Sequence, residues 1–130
     1  MSKNPVVHFE MPYDDAERVS AFYAKAFDWK MEKMGEEMGG YVTAGTAQTD
    51  ANRMVQTPGT INGGLYKRNS DDACPSVVIS VVDIKAAMKN INDAGGKVLG
   101  EPMDIPGIGS YVSFTDTEGN RVSILQPRTM

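Results

Sequence analysis

The two halves of the sequence follow the same order of strand and helix patterns. In the first half, the apolar strand pattern VVHFEM starts at Val6, a helical pattern covers residues 15–27, and a strand pattern resumes at Lys30. In the second half, VVISVV starts at Val77, a helical pattern covers residues 84–94, and a strand pattern resumes at Lys97. Few residues are identical between the halves, so the repeat is one of pattern. It predicts two similar units in a pseudo-symmetric fold.

Each helical pattern is followed by three strand patterns. We predict strands at residues 30–34, 41–44 and 61–66, and again at 97–100, 110–114 and 121–126. The polar segment 45–58 is interpreted as a long loop that could cover a pocket, and segment 102–109, with two prolines, as a further loop. One helix for every four strands excludes a doubly wound parallel sheet. The sequence therefore predicts an α+β protein with the order βαβββ twice.

The first half also carries two packing signals. Apolar side chains recur at helical spacing, which predicts one buried face of the first helix; they are Val19, Phe22, Tyr23, Ala26 and Phe27. The paired Gly63 and Gly64 interrupt the fourth strand pattern. Glycines in a strand often mark a bulge or a place where another group approaches the backbone closely.

Length, charge and cysteine content narrow the class of protein. A chain of 130 residues is expected to form one domain, residues 1–130, with modules of about residues 1–69 and 70–130. The net charge of −4 and the scattered basic residues argue against binding to nucleic acid. No segment approaches the ~20 apolar residues of a membrane span. The lone Cys74 fits a reducing cytoplasm, so we expect a cytoplasmic protein without membrane association.

Three motifs, taken in order, resemble those of the vicinal-oxygen-chelate superfamily, which includes glyoxalase I, bleomycin-resistance proteins and extradiol dioxygenases. They are HFE followed by FYAKAFDWK (residues 8–10 and 22–30), AGGKV (94–98), and IPGIG followed by DTEGNR (105–109 and 116–121). The chain is most similar to the single-domain glyoxalase-like members. The resemblance implies two βαβββ modules whose curved mixed sheets form a cup around a small organic molecule. It also implies helices on the outside and a homodimer.

The resemblance further implies four positions for ligands of a divalent metal. They fall at His8, within residues 62–64, at Ser76 and at Ser123. His and Glu are the side chains that such a site needs, and only His8 is of the right type. Glu10 and Gln126 stand beside these positions and could contribute. We therefore expect no tight catalytic metal and no other cofactor.

Strand alternation places His8 and Glu10 on one face of the first strand. If the protein is an enzyme, these two residues are the candidate catalytic pair, and a nearby carboxylate is expected to raise the pKa of the imidazole. The tyrosines on strands, Tyr41 among them, could present hydroxyls to a pocket. The candidate ligand-binding residues are Asn62, Tyr66, Ser76, Tyr111 and Ser123.

Two classes of function follow from these residues. The first is a glyoxalase- or bleomycin-resistance-like protein that binds a small organic molecule without a catalytic metal. The alternative is a lyase, isomerase or dioxygenase-like enzyme. Such an enzyme would depend on a metal or use His8 with Glu10 as acid and base.

Overall fold

The computed structural model describes residues 3–49 and 57–128, which form two compact units. One unit is His8–Pro75, and the other combines residues 3–7 with 76–128. Each has one α-helix and a mixed parallel and antiparallel sheet, and the α+β class with two βαβββ modules is confirmed. The loop predicted over residues 45–58 includes residues 50–56, which lie outside the described residues. Within the described residues, no helix combines the length and apolar character needed to cross a bilayer.

The strands of the first unit are arranged in the order β2-β3-β4-β1. β1 and β4 are parallel, whereas β2–β3 and β3–β4 are antiparallel. A carboxylate oxygen of Asp15 accepts from the Arg18 amide and begins α1, and Asp28, at φ 60°, ends it. The elements are β1 (Val6–Tyr13), α1 (Ala16–Phe27), β2 (Lys30–Lys33), a 3₁₀ turn (Glu36–Met38), β3 (Val42–Gly45) and β4 (Asn62–Lys67).

The core of the first unit lies between α1 and one face of its sheet. Its buried members are Tyr13, Val42, Ala44 and Leu65. The predicted helix stripe is wrong in part, because Phe22 is 56% exposed, Phe27 is 61% exposed, and Ala26 is exposed as well. Only the side of α1 that carries Val19 and Tyr23 packs on this core. Phe22 and Phe27 lie at the margin of that side and pack edge to face against each other, with ring centroids 6.3 Å apart.

The strands of the second unit are arranged in the order β5-β8-β7-β6. β5 is parallel to β8, and the remaining pairs are antiparallel. The Asp83 carboxylate begins α2 by accepting from the amides of Lys85 and Ala86. The buried core consists of Val81, Ile84, Val112 and Ile124. The elements are β5 (Ser76–Ser80), α2 (Ile84–Asp93), β6 (Lys97–Ile105), β7 (Gly109–Thr115) and β8 (Arg121–Pro127).

The structure corrects the predicted loop at residues 102–109. β6 continues through Pro102 as far as Ile105, so a short turn is all that remains before β7. Proline lacks the amide proton of a ladder bond and is tolerated on edge strands and at bulges. β6 is the last strand in the order of this unit, and its pairing with β7 shifts register between Leu99 and Met103. The sequence pattern could not show either feature.

Candidate functional site

His8 and Glu10 lie on the face of the first sheet that is opposite to α1. In the parallel register His8 pairs with Asn62, Glu10 with Gly64 and Pro12 with Tyr66. Paired residues of parallel strands project to the same side, and successive residues alternate. Phe9, next to both site residues, packs with the core under α1. The predicted grouping of His8 and Glu10 on one face is therefore what the structure shows.

Tyr41, which immediately precedes β3, places its phenol between these two residues. Its hydroxyl oxygen lies 3.0 Å from His8 Nε2 and 3.4 Å from Glu10 Oε2. Tyr41 is 33 positions from His8 and 31 positions from Glu10 in the sequence, so the fold brings the three groups together. We name His8, Tyr41 and Glu10 the acid–base face. Tyr41 was predicted only as one of several strand tyrosines that could face a pocket, and not as a member of the candidate site.

Gly63 and Gly64 make this arrangement possible on both faces of β4. A Cβ at Gly64 would overlap the phenol of Tyr41, and a Cβ at Gly63 would overlap the ring of Phe9. The sequence predicted a close approach at the paired glycines, and the structure shows one at each. Tyr41 approaches Gly64 on the face that carries the site, and Phe9 approaches Gly63 on the face that carries the core. The missing side chain of Gly64 was the sequence signal that could have identified a partner such as Tyr41.

Burial governs the protonation of His8. Desolvation lowers the pKa of His8 below its usual value, and the negative charge of Glu10 offsets only part of this effect. The expectation of a raised pKa was therefore wrong. The sequence showed the neighbouring carboxylate, but it could not show that the ring is half-buried with the Tyr41 phenol beside it. His8 is accordingly a neutral imidazole near neutral pH.

The two hydrogen bonds determine which imidazole nitrogen carries the proton. A carboxylate only accepts, so the Tyr41 proton is directed toward Glu10. The Tyr41 oxygen then accepts from Nε2–H of His8. The opposite tautomer would leave the phenol oxygen and the carboxylate facing each other without a proton between them. Nδ1 of His8 therefore carries the lone pair, and it makes no hydrogen bond to any residue within 3–49 and 57–128.

The other two candidate residues of the first unit share this face. The Asn62 side-chain oxygen accepts from the backbone amides of Thr46 and Ala47, each at 2.8 Å. Asn62 therefore holds the chain that leaves β3 against β4. Tyr66 is half-buried two residues beyond Gly64.

A cluster of three hydroxyl groups lies in the second unit. Ser123 Oγ is 2.7 Å from Tyr111 Oη and 2.9 Å from Ser113 Oγ, and Ser123 is only 3% exposed. The antiparallel register places Ser113 directly opposite Ser123. Ser76 lies on the same face of β5 as Val78, which pairs with Ser123. Ser113 was missed by the sequence analysis, although its position two residues after Tyr111 in a predicted hairpin could have indicated it.

The residues at the four implied metal positions do not fit a divalent cation. The space above Gly64 holds the Tyr41 phenol, and the Ser123 hydroxyl already bonds to two other hydroxyls. Gln126 is also excluded as a ligand, because its side-chain oxygen accepts from the Ile84 amide at the start of α2, at 2.9 Å. Among the residues that the structure describes, no three His, Cys, Asp or Glu side chains are grouped as a metal site.

The repeated βαβββ modules define an α+β protein in which each module contributes one helix and four strands of mixed direction. A family model, the Glyoxalase/Bleomycin resistance protein/Dioxygenase superfamily, matches residues 6–124. The chain belongs to this superfamily, as the motifs in the sequence predict.

The chain is also similar to individual proteins and solved structures. A glyoxylase-like domain-containing protein of Didymella fabae is 29% identical over 120 residues, 88% of each chain. A solved structure of a Streptomyces coelicolor methylmalonyl-CoA epimerase variant, in complex with 2-nitronate-propionyl-CoA, is similar with a TM-score of 0.70 at 15% identity, covering 98% of this chain and all of the other. A hypothetical protein from Bacillus halodurans has the same TM-score of 0.70 at 12% identity, with 99% and 98% covered. At these identities the structures show a shared fold.

Proposed function

We propose that the protein binds a small organic molecule at the acid–base face of its first unit, without a catalytic metal. The observation that carries this proposal is the hydrogen-bonded chain from His8 through Tyr41 to Glu10. Such a hydrogen-bonded chain fixes the orientation of three polar side chains before any ligand arrives. Preorganised polar groups are what small-molecule sites use to select a ligand.

The direction of the protons specifies the chemistry of the ligand. His8 Nε2–H donates to Tyr41, and the Tyr41 hydroxyl donates to Glu10, so both donors are already used. Nδ1 of His8 remains as an acceptor, and the Glu10 carboxylate places a negative charge on the same face. The ligand is therefore expected to bring donors, as a hydroxyl, an amine or an ammonium group does. The net charge of −4 also favours a neutral or cationic ligand over an anionic one.

The test compares three ligands with one skeleton: benzylamine, benzyl alcohol and benzoate. His8 is the only histidine, so its ring signals in a ¹H–¹³C spectrum report directly on the site. We expect shifts with the amine and the alcohol that saturate, and Glu10→Gln should weaken binding of the amine. The matched control is Glu101→Gln, at an exposed position of β6. A preference for benzoate, or equal effects of the two variants, would contradict the proposal.

A second candidate is a metal-free acid–base enzyme, and the state of His8 favours it. A neutral imidazole with an available lone pair can remove a proton from a carbon acid, and Tyr41 with Glu10 would stabilise the imidazolium that forms. The epimerases among the similar structures support this reaction class. Incubation of methylmalonyl-CoA with the protein in D₂O and EDTA should then exchange the proton next to the carbonyl. Loss of exchange in His8→Gln supports catalysis, whereas no exchange with the native protein leaves binding as the function.

A further inference from the structure

A hydrophobic groove lies between α2 and the sheet of the second unit. Its volume is about 440 Å³, within the range of about 300–1,000 Å³ that small-molecule sites occupy. Ile79 lines it from β5, Ala87 and Ile91 from α2, and Phe114 from β7. These four side chains are only half-buried, so apolar surface that a tighter helix would cover stays open to a ligand. Transfer of an apolar chain from water onto this surface is favourable.

The groove is separate from the polar faces described above. Its sheet residues are on the α2 side of their strands, and Phe114 follows Ser113 of the hydroxyl cluster, which points to the other side. It also lies in the second unit, whereas the acid–base face lies in the first. Ligand binding in the groove can therefore be measured independently of the proposed function.

The lining of the groove includes a single positive charge. Lys3 is the only ionisable residue among those that line it, and Asn4 and Asn90 add side-chain amides. The segment that carries Lys3 is held to β5, because the Pro5 carbonyl accepts from the Ser80 amide at 2.9 Å. Across residues 3–49 and 57–128, no carboxylate forms an ion pair with Lys3. The charge therefore has no acidic partner in the described part of the chain.

We propose that this groove binds a single aliphatic chain that ends in a carboxylate, as in a medium-chain fatty acid. The alkyl chain covers Ile79, Ala87, Ile91 and Phe114, and the carboxylate pairs with Lys3. The asparagine amides supply additional donors to the carboxylate oxygens. A neutral or cationic amphiphile would fill the same apolar surface but would lack the ion pair.

Calorimetric titration with octanoate, decanoate and dodecanoate, each below its micellar concentration, tests the proposal. Affinity should rise about fourfold with each added methylene until the groove is filled, since a buried methylene contributes about 0.8 kcal/mol. Dodecyltrimethylammonium, which has the same chain and the opposite charge, should bind more weakly than dodecanoate. Lys3→Gln should weaken dodecanoate binding about two- to fivefold, as expected for an exposed ion pair. Lys85→Gln, on the exposed surface of α2, is its control.

A substitution that fills the groove separates this site from non-specific binding. Ala87→Phe places a ring in the groove and should abolish binding. Ala86→Phe adds the same ring at the exposed neighbouring position of α2 and should not. Where thermal unfolding shows that Ala87→Phe does not fold, Ala87→Leu serves in its place. The proposal would be overturned if Ala86→Phe and Ala87→Phe lost dodecanoate binding equally. It would also be overturned if dodecanoate and dodecyltrimethylammonium bound equally well, or if no fatty acid bound. If a second copy of the protein occupies the groove, the affinity for dodecanoate should fall as the protein concentration rises. That result would also overturn the proposal.

Discussion

Gly63→Ala tests how tightly β4 is packed against the core of the first unit. A Cβ at residue 63 would overlap three carbon atoms of the Phe9 ring, far inside the ~3.5–4.0 Å at which carbon atoms make contact. The Phe9 ring must then move, and it packs beside Trp29 with ring centroids 5.7 Å apart. Overpacking of this kind costs about 1–3 kcal/mol. Alanine loses less backbone entropy than glycine on folding, which offsets roughly 0.5–1 kcal/mol of this cost.

We therefore expect Gly63→Ala to lower the free energy of unfolding by about 1–2 kcal/mol, or Tm by roughly 4–8 °C for a chain of this size. Urea unfolding followed by the fluorescence of Trp29, the only tryptophan, measures this change beside the altered site. The control is Gly45→Ala in β3, where a Cβ would meet Lys30 atoms at 3.4 Å, close to ordinary contact. Phe9→Leu should partly rescue Gly63→Ala, with a coupling energy of about 1 kcal/mol. Additive effects of the two substitutions, or equal stability of both alanine variants, would refute the reasoning.

Four further predictions concern the polar residues. Glu10→Gln should lower the pKa of His8 further, because the ring stays buried while the negative charge that raises its pKa is removed. NMR titration of the His8 ring measures this pKa. A higher pKa in the variant would contradict the roles given to burial and to Glu10. Since the pKa of His8 in the folded protein lies below the unfolded value of about 6.5, the contribution of His8 to the free energy of unfolding should be complete above that pH and be lost as the pH falls below it. His8→Gln should reduce this pH dependence in urea titrations. Ser123→Ala should cost about 1–3 kcal/mol, because two hydroxyls lose their central partner, and urea unfolding measures the loss. Elemental analysis should find no stoichiometric Ni, Zn, Mn or Fe; a metal that is lost in His8→Ala would overturn the conclusion from the donor set.

The order of elements could be predicted because it depends on local patterns. Helical and strand periodicity, and the acidic residues Asp15 and Asp83 that begin the two helices, are read within a few residues. Pro102 was misjudged for the same reason. Its place in β6 is allowed by an edge position and a register shift, and both depend on strands that are distant in sequence.

The site was less predictable because its contacts are not local. Alternation alone placed His8 and Glu10 together, but the phenol between them comes from a residue more than 30 positions away. The balance between burial and charge that sets the pKa of His8 likewise depends on the folded surroundings. The register of β7 and β8 decides that Ser113 joins Tyr111 and Ser123.

The contact of Tyr41 with Gly64 has a consequence for how such a site can change during evolution. A larger side chain at residue 64 and the phenol at residue 41 require the same volume, so the two positions are epistatic. A lineage that acquired a carboxylate on the fourth strand would first have to lose the tyrosine, and a lineage that acquired the tyrosine would first need the glycine. The order of substitutions is therefore constrained in both directions. Ancestral sequences along this branch should contain Gly64 with a smaller residue at position 41, and never a large side chain at both positions.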